Sequence, residues 1–122
     1  PERLVLLLQA DLVQRIIAKP PRMNLLALMV QLFGRPRLVR SVSPSSFYPQ
    51  PRVESAVVEI VRGGETISGG ERTALLQLAK RAFAQPRKKL KTRLGQLAGS
   101  YADQRPEQLS LNDWLEILKQ TD

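Results

Sequence analysis

The hydrophobic period of this chain changes once, at a pair of glycine doublets. Gly63-Gly64 and Gly69-Gly70 bracket a polar stretch, and strand-like patterns occur only before it. Upstream, residues 4–8 read LVLLL, residues 37–42 read RLVRSV, and residues 53–61 alternate Val53, Ser55, Val57, Glu59 and Val61 against Glu54, Ala56, Val58 and Ile60. Short apolar or alternating runs of this kind are strands. Downstream, apolar positions recur at three and four: Leu75, Leu76, Ala79, Ala82 and Phe83, then Leu90, Leu94 and Leu97, then Leu111, Trp114, Leu115 and Leu118. That spacing lines one face of a helix. The sequence therefore predicts an α/β part over residues 1–62, a linker over 63–70 and an all-helical part over 71–122.

Within the first part, Leu12, Val13, Ile16 and Ile17 set a short amphipathic helix over residues 10–19, stopped by Pro20-Pro21. Residues 23–33, MNLLALMVQLF, are apolar nearly all round, which predicts a buried helix ended by Gly34 and Pro36. The unbroken run at residues 4–8 has the pattern of a strand buried on both faces of a parallel sheet. Its partners are expected either later in this chain or in sequence preceding it. In the second part, Ser110 is placed to cap the last helix, with Asp113 three residues on as reciprocal partner.

Charge narrows the choice of partner. The chain has 122 residues, with 19 Lys and Arg against 11 Asp and Glu, a net charge of +8. No acidic residue lies between Glu71 and Asp103, whereas Arg72, Lys80, Arg81, Arg87, Lys88, Lys89, Lys91 and Arg93 all do. Outside that window the signs balance. A local excess points to a polyanion such as nucleic acid or an anionic membrane surface. A helix starting at Gln85-Pro86 would put Leu90, Leu94 and Leu97 on one seam, flanked by Arg87, Lys89, Lys91 and Arg93. No carboxylate stands three or four residues away to neutralise them.

Several chemistries are excluded. With no Cys and no His there is no disulfide, thiolate nucleophile, zinc finger or imidazole base. No Gly-x-Gly-x-x-Gly or Walker loop offers a phosphate cradle. Asp11, Glu54 and Glu59 are dispersed, so no acid/base pair is evident and no metal is expected. No apolar run approaches the roughly 20 residues of a bilayer span, so a cytoplasmic protein without membrane attachment is expected. The loop SPSSFYPQP at residues 43–51 is too long and too rich in Pro for a tight hairpin. Pro49 and Pro51 stiffen it, and Phe47 and Tyr48 are two of only six aromatics in the chain. Such a ring either packs beneath its loop or stacks on an extruded base.

Four segments, in order, resemble one family. FYPQPRVESAV at residues 47–57 resembles the F-x-P-x-P-x-V-x-S-x-V segment of the ribosomal RNA adenine N6,N6-dimethyltransferases of the KsgA/Erm type. AFAQPRKKL at 82–90 is similar to their A-F-x-x-R-R-K-x-L, with Pro86 in place of the first Arg. RPEQLSL at 105–111 is similar to R-x-E-x-L-S, and LQADLVQRI at 8–16 to Q-x-E-x-A-x-R, with Asp11 for Glu.

The resemblance implies the C-terminal portion of such an enzyme. Residues 1–62 would be an α/β remnant, the last strands and helices of a Rossmann-like methyltransferase sheet, followed by a small all-α RNA-binding domain. The implied activity is methyl transfer from S-adenosylmethionine to N6 of adenines in small-subunit rRNA, in ribosome biogenesis. Phe47 would stack on the target adenine, with Pro49, Pro51 and Ser55 supporting its loop. Lys80, Arg81, Arg87, Lys88, Lys89, Lys91 and Arg93 would bind RNA. In the family, the glycine-rich cofactor loop and the Asn-Pro-Pro-Tyr-type motif precede the strand matched by residues 4–8. Neither Asn24 nor Asn112 is followed by Pro-Tyr. This chain is therefore expected to hold no cofactor-binding residues and to be inactive alone. The expected partner is small-subunit rRNA or a pre-ribosomal particle, met by a monomer. Two relatives are alternatives, a non-catalytic nucleic-acid-binding or transcription-accessory protein and a resistance enzyme acting on large-subunit rRNA. A helical interaction domain meeting an acidic protein is a third.

Overall fold

A computed structural model describes residues 2–46, 48–50, 52–63 and 67–120. Strands β1 (Arg3–Gln9), β2 (Gly34–Val42) and β3 (Ser55–Arg62) form one sheet in the order β1-β3-β2, both pairings antiparallel. The period-two alternation of β3 sorts the faces. Ala56, Val58 and Ile60 stand opposite Leu8, Leu6 and Leu4 of β1, and Val58 also opposite Leu38 of β2. Helix α1 (Ala10–Ile16) lies on this face, with Val13 packed against Ala56 and Val58.

The other face is open. At its centre Glu59 accepts from Nε of Arg3 at 2.9 Å and of Arg37 at 3.0 Å, so one carboxylate ties all three strands. Around it Val5, Leu7 and Val61 are 41–51% exposed. Within the three-stranded sheet of this chain, the strand expected to be buried on both faces of a parallel sheet lies at one edge, antiparallel to β3, with α1 on one face. An apolar run encodes how much surface wants to leave water, not the direction of the strand beside it.

Strand β2 starts three residues earlier than its pattern suggests and contains Pro36. As the other edge strand it can spare that N–H. Gly34 begins it because a Cβ there would lie 2.7 Å from the Val61 carbonyl oxygen. Only a residue without a side chain allows this approach.

Helix α2 (Leu25–Gln31) forms where residues 23–33 predict it. Asn24 caps it, its Oδ1 accepting from Ala27 N at 2.8 Å. Its buried face does not join the sheet. Met23, Ala27, Leu28 and Leu32 belong to the same core as Leu75, Ala79, Leu90, Leu94, Leu109, Trp114 and Ile117. Helix α3 (Gly69–Phe83) opens on a capping box. Ser68 Oγ accepts from Glu71 N at 3.1 Å, and Glu71 Oε1 accepts from Ser68 N at 3.2 Å. Helix α5 (Leu111–Gln120) opens on the box read from Ser110 and Asp113, with reciprocal bonds of 3.2 and 2.9 Å. Beyond Arg62 the described residues hold helices and turns but no strand.

The basic helix expected to start at Gln85-Pro86 does not form. The chain turns through residues 84–89, and α4 (Leu90–Leu94) is short. Gly95 ends it at φ 57, ψ −130, a conformation that side chains disfavour. Leu90 and Leu94 are buried as their spacing predicts, but beyond the break Ala98 takes the inward position and Leu97 is 38% exposed. No helix among the described residues is long and apolar enough to cross a membrane.

Candidate nucleic-acid interface

The end of α3, the following turn and α4 carry seven exposed cations, and Arg81 and Arg93 join the two helices. Lys80 and Arg81 occupy the last turn of α3, Arg87, Lys88 and Lys89 the turn, and Lys91 and Arg93 helix α4. Backbone bonds hold the turn in place. Lys88 N donates to the Gln85 carbonyl at 3.0 Å, Leu90 N to Gln104 at 2.7 Å and Lys91 N to Ala102 at 3.0 Å. With Leu90 and Leu94 buried beneath, the charges stand on a fixed base.

The seven cations are not equivalent. Arg81 Nη2 donates to the Arg93 carbonyl at 3.3 Å, and Arg93 Nε donates to the Arg81 carbonyl at 3.0 Å. This pair staples the end of α3 to α4. Lys91 Nζ lies 3.1 Å from Asp103. That hydrogen bond and charge, aided by Lys89, hold the Asp103 carboxyl below the usual carboxylate range. Lys80, Arg87 and Lys88 have no ion pair among the described residues and face solvent. Tyr101 donates to Glu116 at 2.8 Å and lies 3.2 Å from Asp113. The bond to Glu116, with desolvation and the nearby Asp113, pushes its hydroxyl up to about 12.

The proline-rich loop lies elsewhere, at the end of the sheet where β1 and β2 finish. Glu54 O accepts from Ala10 N at 2.9 Å, and Ser55 opens β3 between Gln9 and Val42. In open α/β sheets the carboxyl ends of strands are where ligands bind. Tyr48 is fully exposed and Pro49 exposed, while Phe47 and Pro51 lie outside the described residues. No hydrogen bond or ion pair among the described residues links this loop to the basic surface.

At the opposite end of the sheet, the end of α1, the start of β2 and the start of α5 enclose a cleft of about 380 Å³. Lys19, Phe33, Arg35 and Asn112 are among its walls. No group of three or more metal-ligating side chains occurs among the described residues.

The sequence matches the ribosomal RNA adenine dimethylase family over residues 1–120. The chain belongs to that family. Its relatives include two proteins named ribosomal RNA small subunit methyltransferase A. That of Acidothermus cellulolyticus is 39% identical over 100 residues, which are 80% of this chain and 34% of the relative. That of Dehalococcoides mccartyi strain CBDB1 is 35% identical over 132 residues, 96% of this chain and 45% of the relative. The chain thus spans less than half the length of these curated relatives. Two solved structures share the fold. A dimethyladenosine transferase from Plasmodium falciparum superposes with a TM-score of 0.77 at 19% identity, covering 98% of this chain and 56% of that one. The 23S rRNA methyltransferase ErmE does so with 0.73 at 17%, covering 97% and 54%.

For this dimethylase-family chain, the described lining of the cleft does not match the cationic groups of S-adenosylmethionine. That donor carries a sulfonium and an ammonium beside its own carboxylate, and among the described residues the cleft offers Lys19 and Arg35 but no carboxylate to meet the two cationic groups. Glu59, the carboxylate buried in the sheet, is already taken by two arginines. Sequence reasoning also missed residues. Lys19, Phe33 and Arg35 carry no local motif, and the one available signal was Phe33, one of three Phe in the chain.

Proposed function

We propose that a protein containing this chain is an S-adenosylmethionine-dependent methyltransferase acting on N6 of adenines in small-subunit rRNA, in ribosome biogenesis in the cytoplasm. The chain supplies RNA contacts and the loop beside the target base. It corresponds to the C-terminal part of such an enzyme, the sheet remnant being followed by an all-α RNA-binding domain. The observation that carries this reading is the family match over residues 1–120, with relatives named small-subunit methyltransferases at 35–39% identity.

The geometry supports a division of labour. Lys80, Arg87, Lys88 and Lys89 present charge to phosphates, where release of counterions supplies sequence-independent affinity. Arg81 and Arg93 hold the helices that present it. By resemblance, Phe47 stacks on the extruded adenine and Pro49, Pro51 and Ser55 support its loop, and Ser55 itself opens β3 beside the carboxyl ends of β1 and β2. Orienting an exocyclic amine needs placement more than a strong base, which suits a chain without His. The chain alone is expected to catalyse nothing.

The test is the salt dependence of binding to a small-subunit rRNA hairpin. Replacing Arg87, Lys88 and Lys89 together by Glu should weaken binding and reduce the slope of log K against log salt by about 2–3, at about 0.9 for each phosphate no longer neutralised. An unchanged slope removes this surface from the interface.

A further inference from the structure

The cleft at the far end of the sheet is built for more than packing. Its volume of about 380 Å³ falls in the range of about 300–1,000 Å³ usual for ligand pockets. Phe33 lines it and is 62% exposed, although the adjacent Leu32 is 5% exposed in the helical core. The ring is held in position. The guanidinium of Arg72 sits 4.8 Å from its centroid, and Arg72 itself donates to the Ile67 carbonyl from Nε at 3.3 Å and Nη2 at 2.8 Å. The neighbouring backbone is fixed by the tight approach of Gly34 to Val61. Lys19 and Arg35 bring two positive charges to the rim, and no carboxylate is found among the described residues that line the cleft.

We propose that this cleft is a second RNA subsite, taking one unstacked base of single-stranded RNA against the free face of Phe33, with flanking phosphates on Lys19 and Arg35. The inference rests on the RNA reading given above. An aromatic face backed by a fixed guanidinium, beside two cations with no ion pair among the described residues, is the chemistry that recognises single strands. Asn112 at the wall can bond a base edge with its amide. An acidic peptide would use the two cations but leave the ring idle. The strand rise puts this end of β2 about 25 Å from the end bearing the proline-rich loop. The subsite therefore grips the substrate away from the target base and acts as a ruler along the sheet.

The experiment is fluorescence anisotropy of the full chain with a labelled short single-stranded oligoribonucleotide, against Phe33→Leu, Phe33→Tyr and the double variant Lys19→Gln/Arg35→Gln. Phe33→Leu should weaken binding roughly tenfold without changing the salt slope, as loss of one stacked base does. Phe33→Tyr should restore it. The double variant should lower the slope by about 1.4, at about 0.7 per single-strand phosphate. Unaltered binding in all three, while the Arg87, Lys88 and Lys89 reversal still weakens it, overturns the subsite and leaves the RNA reading standing. Equal loss in both Phe33 variants overturns the stacking role. If the double variant loses affinity for polyglutamate but not RNA, the cleft belongs to acidic peptides. Absence of RNA binding by the unaltered chain overturns both readings.

Discussion

Val13 and Trp114 are both fully buried, yet they sit in cores of very different reach. Val13 shares its core with Ala56 and Val58, beneath a sheet whose other face is open. Trp114 is one of thirteen buried residues drawn from four helices and the turns between them, α2 among them. A one-sided sheet can relax when a side chain is trimmed, whereas a core closed on every side cannot. The comparison teaches that most of the chain's cooperative stability resides in the helices, and that the basic surface stands on the stiffer of the two regions.

The sharpest way to break this comparison is to truncate both centres. Trp114→Ala should cost about 3–5 kcal/mol and Val13→Ala about 2 kcal/mol in denaturant melts followed by circular dichroism. Similar costs would mean the cores are equally closed. Trp114→Phe should cost far less than Trp114→Ala, because Nε1 has no hydrogen-bond partner among the described residues. Next in size are two glycines with different reasons for being glycine. At Gly34 a methyl group meets the β3 backbone, and Gly34→Ala should cost about 2–3 kcal/mol and loosen strand amide exchange. At Gly95 nothing lies within 4 Å, but φ is 57. Gly95→Ala should therefore cost about 1–2 kcal/mol from the backbone alone, read by the fluorescence of Trp114, the chain's single Trp.

The smallest effects are electrostatic and belong to the helical region. Tyr101 keeps its proton to about 12 when folded, against an ordinary 10.0. Between those values the unfolded chain ionises first, so stability falls as pH rises through that window. Tyr101→Phe should flatten this alkaline decline. Asp103 is shifted the other way. Its contribution is present above the ordinary carboxylate pKa and is lost as pH falls through the lowered one. Asp103→Asn should flatten the acid limb, and an unchanged limb would mean that Lys91 gains nothing from the pair.

What the sequence disclosed follows the range of the interactions involved. Ser110 and Asp113 are three residues apart and bond to each other, so their cap was legible. The alternation of residues 53–61 found β3 within two residues of its start. The helix over residues 23–33 was legible as apolar, but not that it packs against Leu75 and Trp114, because a pattern names a face and not its neighbour. The break in the basic segment was misread for a related reason. Leu90 and Leu94 satisfy a helical period, and only the φ of Gly95 decides that Leu97 falls outside it. At the site, the loop motif and the basic surface were legible as composition. The Arg81 and Arg93 staple and the Phe33 cleft join residues far apart in sequence and leave no local mark.

The strand order carries a consequence in time. The central strand of the sheet is the last of the three to be synthesised, since Gln9 pairs with Ser55 and Gly34 with Arg62. Residues 4–8 therefore emerge from the ribosome long before β3, the strand they pair with in this chain, has been made. Non-local pairings of this kind close late, and such segments are the ones that associate wrongly while they wait. Pulse-labelled hydrogen exchange during refolding should show α3 and α5 protected before β1. The order in which the chain is made thus asks the sheet to wait for β3.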